Sequence, residues 1–393
     1  MHVVNLPEPS VELKEHSARL SALLRAECAA HGPLRFARYM ELALYAPGLG
    51  YYSAGLRKFG RGGDFVTAPE LGSLFAECLA NALAPLLQQM EFAAILEIGA
   101  GSGALAADLW NALERLRALP ERYWILERSA DLRERQIERL TLKAPQALPR
   151  VAWLDAPPKE GFVGIILGNE VLDALPCARV QRHAGQWWEL GVQVDAQGLR
   201  EVRLPLSTDV ARPLAELEAG LDWALPEGYT SELVPHLPEW LATVSAGLRE
   251  GVVVFADYGY PRQEYYLAQR SSGTLITHYR QRVVGSPYWW PGLSDLSASV
   301  DFTAVAQAAH SEGFQIAGFC SQAQFLIAAG LSERLLDPTP RPEREQARRV
   351  DEARRLTHAS EMGERFKVIT LSRALELERL PDALKLPFEL HRL

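Results

Sequence analysis

Short apolar runs and amphipathic stretches alternate through the middle of the chain. Runs at 92–98, 123–127, near 150–153 and at 161–167 have the length and composition of buried strands, and 104–117 and 130–141 between them carry helical spacing. The alternation resumes later with a helix over 236–248, an apolar strand at 252–256, a helix from 302 to 313, a strand at 314–319, a helix at 322–330 and a last strand at 366–372. Strands that alternate with helices predict a parallel sheet joined by right-handed crossovers.

Other stretches break this rhythm. Residues 11–30 place Leu13, Leu20, Leu23 and Leu24 on one helical face, and 36–44 predicts a second helix. Two loops rich in glycine, proline and aromatics, 45–52 and 60–70, precede a helix at 71–88 and have the make-up of a lid or of a structural loop. Residues 178–206 switch to period-two patterning punctuated by Gly185 and Gly198, which predicts a small meander inserted into the sheet order; 261–299 reads as an irregular insertion. The interleaved Glu and Arg of 341–355 predict a solvated helix. The expected organisation is 1–90 helices and lid loops, 91–177 the first half of the core, 178–235 the inserted meander, and 236–393 the second half with an insertion at 260–299.

The chemistry concentrates where the first core strand ends. Glu97-Ile98-Gly99-Ala100-Gly101-Ser102-Gly103 breaks a strand into a glycine turn that opens a helix, the geometry that holds a nucleoside ligand against backbone N–H groups. The second strand ends in Glu127, placed to accept hydrogen bonds from both hydroxyls of a ribose. Both NAD and S-adenosylmethionine (SAM) enzymes use that device. The GxGxG spacing after an acid favours SAM, which has no pyrophosphate to cradle, over an NAD-dependent oxidoreductase; a turn without ligand fits the same residues. Asp155, at the third strand tip, is a candidate for the adenine amino group and equally a plain turn residue. The fourth strand runs into Asn169-Glu170-Val171-Leu172-Asp173, which should face the same crevice as the glycine turn.

Composition narrows the partners. A net charge of -8 argues against a general nucleic-acid binder and permits a basic peptide or protein substrate. Cys28, Cys78, Cys177 and Cys320 are isolated, and the histidines lack ligand spacing, so neither a zinc site nor a disulfide framework is indicated. Together with an arginine-free start and no long apolar run, this predicts a cytoplasmic protein without a membrane span.

The motifs taken together resemble the MidA-like family of SAM-dependent methyltransferases, which includes a mitochondrial complex I assembly-factor methyltransferase. The matching pieces are Gly32-Pro33-Leu34-Arg35-Phe36, Leu44-Tyr45-Ala46-Pro47 with Gly50-Tyr51-Tyr52, Gly63-Asp64-Phe65-Val66-Thr67-Ala68-Pro69-Glu70, the glycine turn, Asn169-Glu170 with Asp173-Ala174-Leu175-Pro176, Asp257-Tyr258-Gly259, Asp295-Leu296 and Met362-Gly363. The family's glycine turn commonly carries Pro, Arg and Thr where this chain has Ala100, Ser102 and Ala104, so a charge beside the cofactor is missing. The resemblance implies an α/β, Rossmann-like class I methyltransferase sheet with an N-terminal helical extension and inserted β-rich and irregular segments. It implies SAM as cofactor and methyl transfer to arginine of a protein substrate, a respiratory complex subunit among the candidates; a SAM-binding assembly factor is the alternative.

A guanidinium loses its proton only above about pH 12, so carboxylates must orient it, and Glu170 and Asp173 are the candidates; Asp173 reads equally well as the N-cap of a following turn. For the cofactor, the candidates are Glu97, Gly99, Gly101, Gly103, Glu127, Asp155 and Asn169. Asp64 and Thr67 reach for its methionine end. No metal is required.

Overall fold

In the computed structural model, residues 6–55, 67–195 and 198–393 are described, and the chain divides into two compact units. One unit comprises 66–172, 238–261 and 300–393. Its sheet contains β1 (Ala94–Ile98), β2 (Arg122–Leu126), β3 (Val151–Leu154), β4 (Phe162–Asn169), β5 (Leu248–Tyr260), β6 (Gln315–Ser321) and β7 (Phe366–Arg373). Their order is β3-β2-β1-β4-β5-β7-β6, all parallel except β7, which runs antiparallel between β5 and β6. The connections include α1 (Leu74–Leu87) before β1, α2 (Ala104–Arg115), α3 (Ala130–Lys143), α4 (Phe302–Ser311) and, before β7, α5 (Glu343–Thr357).

The α/β sheet expected from the alternating pattern is therefore present. Its strands read as near-continuous apolar runs because both faces are covered, as Ile95 of β1, Ile125 of β2 and Ile165 of β4 show by being wholly buried. The strand order reverses at β1 and β4, and in such sheets ligands bind beyond the carboxyl ends of the strands at that reversal.

The other unit comprises the start of the chain to 65, 173–237 and 262–299. Helix Val11–His31 and helix Phe36–Tyr45 bury Leu20, Leu24, Tyr39 and Met40 with Val192 and Leu296. The strands Ala178–His183, Gln186–Asp195 and Gly198–Leu204 form the meander expected from their period-two pattern. They are not inserted into the core sheet order, however. They pair instead with Leu34–Arg35 and Thr230–Leu233 in a sheet of their own. The segment expected to be irregular contains a three-stranded sheet of Arg282–Val284, Ile276–Tyr279 and Asp295–Ser297.

The predicted solvated helix is present and exposed along most of its length, but one of its faces is buried. Helix α5 buries Arg349 and Glu352 along with Ala353 and Leu356. Arg349 pairs with Glu77 at 2.9 Å, and the Glu352 carboxylate accepts the first N–H of α1, that of Leu74, at 2.6 Å. A carboxylate at a helix N-terminus satisfies a donor that the helix itself cannot and complements its dipole.

Candidate functional site

Register places the candidate residues level with one another. Ile98 lies beside Leu126 on one side and Gly168 on the other, so Gly99, Glu127 and Asn169 are the next residues along three adjacent parallel strands. On the far side of β4, Asn169 lies beside Ala256, so Glu170 leaves β4 level with Asp257, which continues in β5 beside Lys367 of β7.

The glycine turn has positive φ at each glycine, 62° at Gly99, 54° at Gly101 and 79° at Gly103. At Gly103 a Cβ would approach the Cα of Gln136 to 3.1 Å, so both conformation and close helix packing require glycine there. At Gly101 the backbone carbonyl accepts from the Gln136 side chain at 3.0 Å. Ser102 donates to Glu70, which also pairs with Arg139 at 3.2 Å, so the segment that follows Thr67 is tied to the turn. Thr67 itself precedes helix Ala68–Leu71 and makes no side-chain cap. Asp64 lies outside the described residues.

Glu127 is nearly buried, and its carboxylate is oriented from two sides. Oε1 accepts the N–H of Ser129 at 2.8 Å and Oε2 accepts from Gln136 Nε2 at 3.3 Å. Ser129 in turn caps α3 through the Leu132 N–H. Arg133 joins two strand tips, donating to the Glu127 carbonyl at 2.6 Å and to Asp155 at 2.6 Å. Asp155 therefore sits in a salt bridge, with its side chain 87% exposed. Glu97, a candidate for the cofactor, points into the core, where Tyr123 Oη donates to it at 2.6 Å, and burial pushes its carboxyl up to about 7.

The exit from β4 is clamped by the end of β5. Three successive N–H groups are held there: Glu170 donates to the Ala256 carbonyl at 2.9 Å, and Val171 and Leu172 donate to Asp257 Oδ2 at 3.1 and 2.9 Å. Glu170 has φ 54°, a left-handed conformation that costs a non-glycine residue on the order of 1–2 kcal/mol and that the clamp sustains. Val171 packs toward the glycine turn, its Cγ1 3.1 Å from where a Cβ on Gly99 would sit. Asn169 Nδ2 donates to Glu170 at 3.2 Å, while its Oδ1 is buried without a hydrogen-bond partner. Asp173, expected beside Glu170, belongs to the other unit, where it lies in a turn and its carbonyl accepts from the Ala298 N–H at 2.9 Å.

Gln136 and Asp257 were not anticipated. A signal for Gln136 exists in retrospect, since Leu132, Gln136 and Leu140 form the buried stripe of α3 at i, i+4, i+8, and a polar residue on such a stripe needs partners.

The arrangement fits an adenosine-containing cofactor. It presents a carboxylate oriented by a hydrogen bond to each oxygen, a glycine turn in an otherwise strained conformation, and in Asn169 Oδ1 an orphaned acceptor at the adjoining strand tip.

Residues 78–320 match the family described as S-adenosyl-L-methionine-dependent methyltransferases. The chain is 28% identical over 404 residues to the mitochondrial protein arginine methyltransferase NDUFAF7 homolog of Drosophila melanogaster, covering 93% of this chain and 87% of that protein. Against protein arginine methyltransferase NDUFAF7 of Danio rerio, also named mitochondrial, identity is 26% with 93% and 90% covered. Among solved structures, a superfamily member from Burkholderia thailandensis bound to S-adenosyl-homocysteine superposes with a TM-score of 0.89 at 42% identity, over 95% of this chain and 96% of that one.

These relatives overturn the expected cytoplasmic location, because the curated proteins most of this chain aligns with carry a mitochondrial designation. Four buried free thiols suit any reducing compartment and could not decide between two of them.

Proposed function

We propose, for a chain that belongs to the MidA-like family of S-adenosyl-L-methionine-dependent methyltransferases, that it methylates arginine in a protein substrate. When bound, the cofactor supplies an electrophilic methyl carbon on a sulfonium. Glu127 would hold its ribose, the turn of Gly99, Gly101 and Gly103 would lie against it, and Asn169 Oδ1 would accept one of its donors or the substrate's.

The observation that carries the reading is the clamped turn at the end of β4. It fixes the Glu170 backbone, through three anchored N–H groups, at the tip of β4, the neighbour of the strand that leads into the glycine turn. A guanidinium is planar, strongly basic and matched to carboxylate geometry, so Glu170 would orient it and take up its proton. The net charge of -8 suits a basic partner. A subunit of a respiratory complex is the candidate substrate, in line with the mitochondrial relatives.

Tandem mass spectrometry of arginine-containing partner proteins incubated with the enzyme and labelled SAM tests this. Methylarginine is expected, and Glu170→Gln should lower kcat by roughly 100-fold or more, the scale of a positioned acid–base group, with cofactor affinity retained. Methylation confined to lysine or a small molecule would refute the substrate class, and an unchanged Glu170→Gln rate would refute the role of that residue.

A further inference from the structure

We infer that Gln136 is a positioning residue for cofactor binding: its amide locks the Glu127 carboxylate and the glycine turn into a single arrangement and so sets affinity for the ribose hydroxyls. The inference rests on the reading of Glu127 as the ribose acceptor.

Gln136 is wholly buried in the middle of α3, yet its amide uses both donors and its acceptor. Nε2 donates to the Gly101 carbonyl at 3.0 Å and to Glu127 Oε2 at 3.3 Å, while Oε1 accepts the Trp153 indole N–H at 2.9 Å. Only one orientation of the amide is possible. Turned over, it would set its oxygen against two acceptors and its NH2 against an indole N–H.

One side chain thereby connects the loop after β1, the acid after β2 and the strand β3. Glu127 holds the Ser129 N–H on its other oxygen, so both oxygens of the carboxylate are oriented by these two donors. A pair of adjacent ribose hydroxyls needs two acceptors at fixed spacing, which is what the anchored carboxylate offers. Without Gln136 the carboxylate would lose its anchor on Oε2 and could turn about its broad terminal torsion. The Gly101 carbonyl would also lose its donor, loosening the turn at the residue that the ligand approaches. An aliphatic residue would fill the same stripe between Leu132 and Leu140 at lower desolvation cost, so packing alone does not account for an amide here.

Calorimetric titration with S-adenosylhomocysteine of wild type, Gln136→Met, Glu127→Ala and the double variant tests the inference. Gln136→Met keeps the volume and should weaken binding about ten- to hundredfold, the range for hydrogen bonds to a charged group. In the Glu127→Ala background the same substitution should cost clearly less than in wild type, because the carboxylate it positions is gone and only the contact with the Gly101 carbonyl is left to lose. In turnover, KM for SAM should rise while kcat stays near wild type, the pattern of lost uniform binding.

Equal fold-losses in both backgrounds would assign Gln136 a purely structural role and overturn the proposal, as would undiminished binding by Gln136→Met. Wild-type affinity in Glu127→Ala alone would instead remove the ribose reading on which the inference stands. Should Gln136→Met prove unfolded by near-UV circular dichroism, the nearly isosteric Gln136→Glu takes its place. It sets a carboxylate against Glu127 and the Gly101 carbonyl and should weaken binding at least as much, again only when Glu127 is present.

Discussion

Replacing Asp257 by Asn tests whether the end of β5 shapes the catalytic turn. The buried Asp257 carboxylate accepts Val171 and Leu172 on Oδ2 at 3.1 and 2.9 Å and Tyr258 on Oδ1 at 2.9 Å. Asparagine retains one acceptor oxygen, so in either orientation its NH2 faces at least one backbone N–H. In the better orientation one charge-assisted hydrogen bond is lost and two become neutral. At about 1.5–3 kcal/mol for a hydrogen bond to a charged group, and roughly half that for a neutral one, the variant should lose about 3–6 kcal/mol of stability. Urea unfolding followed by far-UV circular dichroism measures that loss. The functional effect should fall on the turn: with Val171 and Leu172 less firmly held, Glu170 can relax from its left-handed conformation, so kcat should drop more than affinity for S-adenosylhomocysteine. Stability within about 0.5 kcal/mol of wild type together with unchanged kcat would refute the clamp, since a surface change has that size of effect.

Two further outcomes are expected. Burial raises the Glu352 carboxyl from 4.5 to about 7, so the folded chain holds a proton that the unfolded chain releases; this group's contribution is fully present below about pH 4.5 and is lost as pH rises through 7. Glu352→Gln keeps an acceptor for the Leu74 N–H and should therefore flatten the decline, gaining up to about 3 kcal/mol relative to wild type at pH 8 but not at pH 4.5, as read from unfolding midpoints at the two pH values. Gly101→Val forces a β-branched residue to φ 54° beside the cofactor's expected path and should abolish S-adenosylhomocysteine binding in calorimetry; normal binding by the folded variant would show that the ligand does not lie on this turn.

What was legible in the sequence was local. The alternating strands and helices of the core, the glycine turn and Glu127 all declare themselves within windows of a few residues, because buried parallel strands are apolar throughout and a strand-to-helix turn needs glycine. The features missed depend on distant partners. Asp257 caps a turn some 85 residues earlier in the chain, and the charges of α5 meet Glu77 and Leu74 more than 270 residues upstream, so neither pairing leaves a trace in local spacing. The three-stranded sheet within 262–299 escaped notice because strands of three or four residues, Arg282–Val284 and Ile276–Tyr279 among them, are too short for period-two alternation to stand out. Gln136 is hidden differently: most of α3 is polar, and only the burial of Leu132 and Leu140 on either side sets this amide apart from the rest.

The most direct test of the account is equilibrium binding to the tips of β1, β2 and β4. Calorimetric titration of the purified protein with S-adenosylhomocysteine should show saturable one-to-one binding, NAD at the same concentrations should show none, and Glu127→Ala should weaken S-adenosylhomocysteine by roughly 1–3 kcal/mol, about 5- to 150-fold. Binding of NAD in preference to S-adenosylhomocysteine, or a Glu127→Ala variant that binds S-adenosylhomocysteine as tightly as wild type, would contradict it.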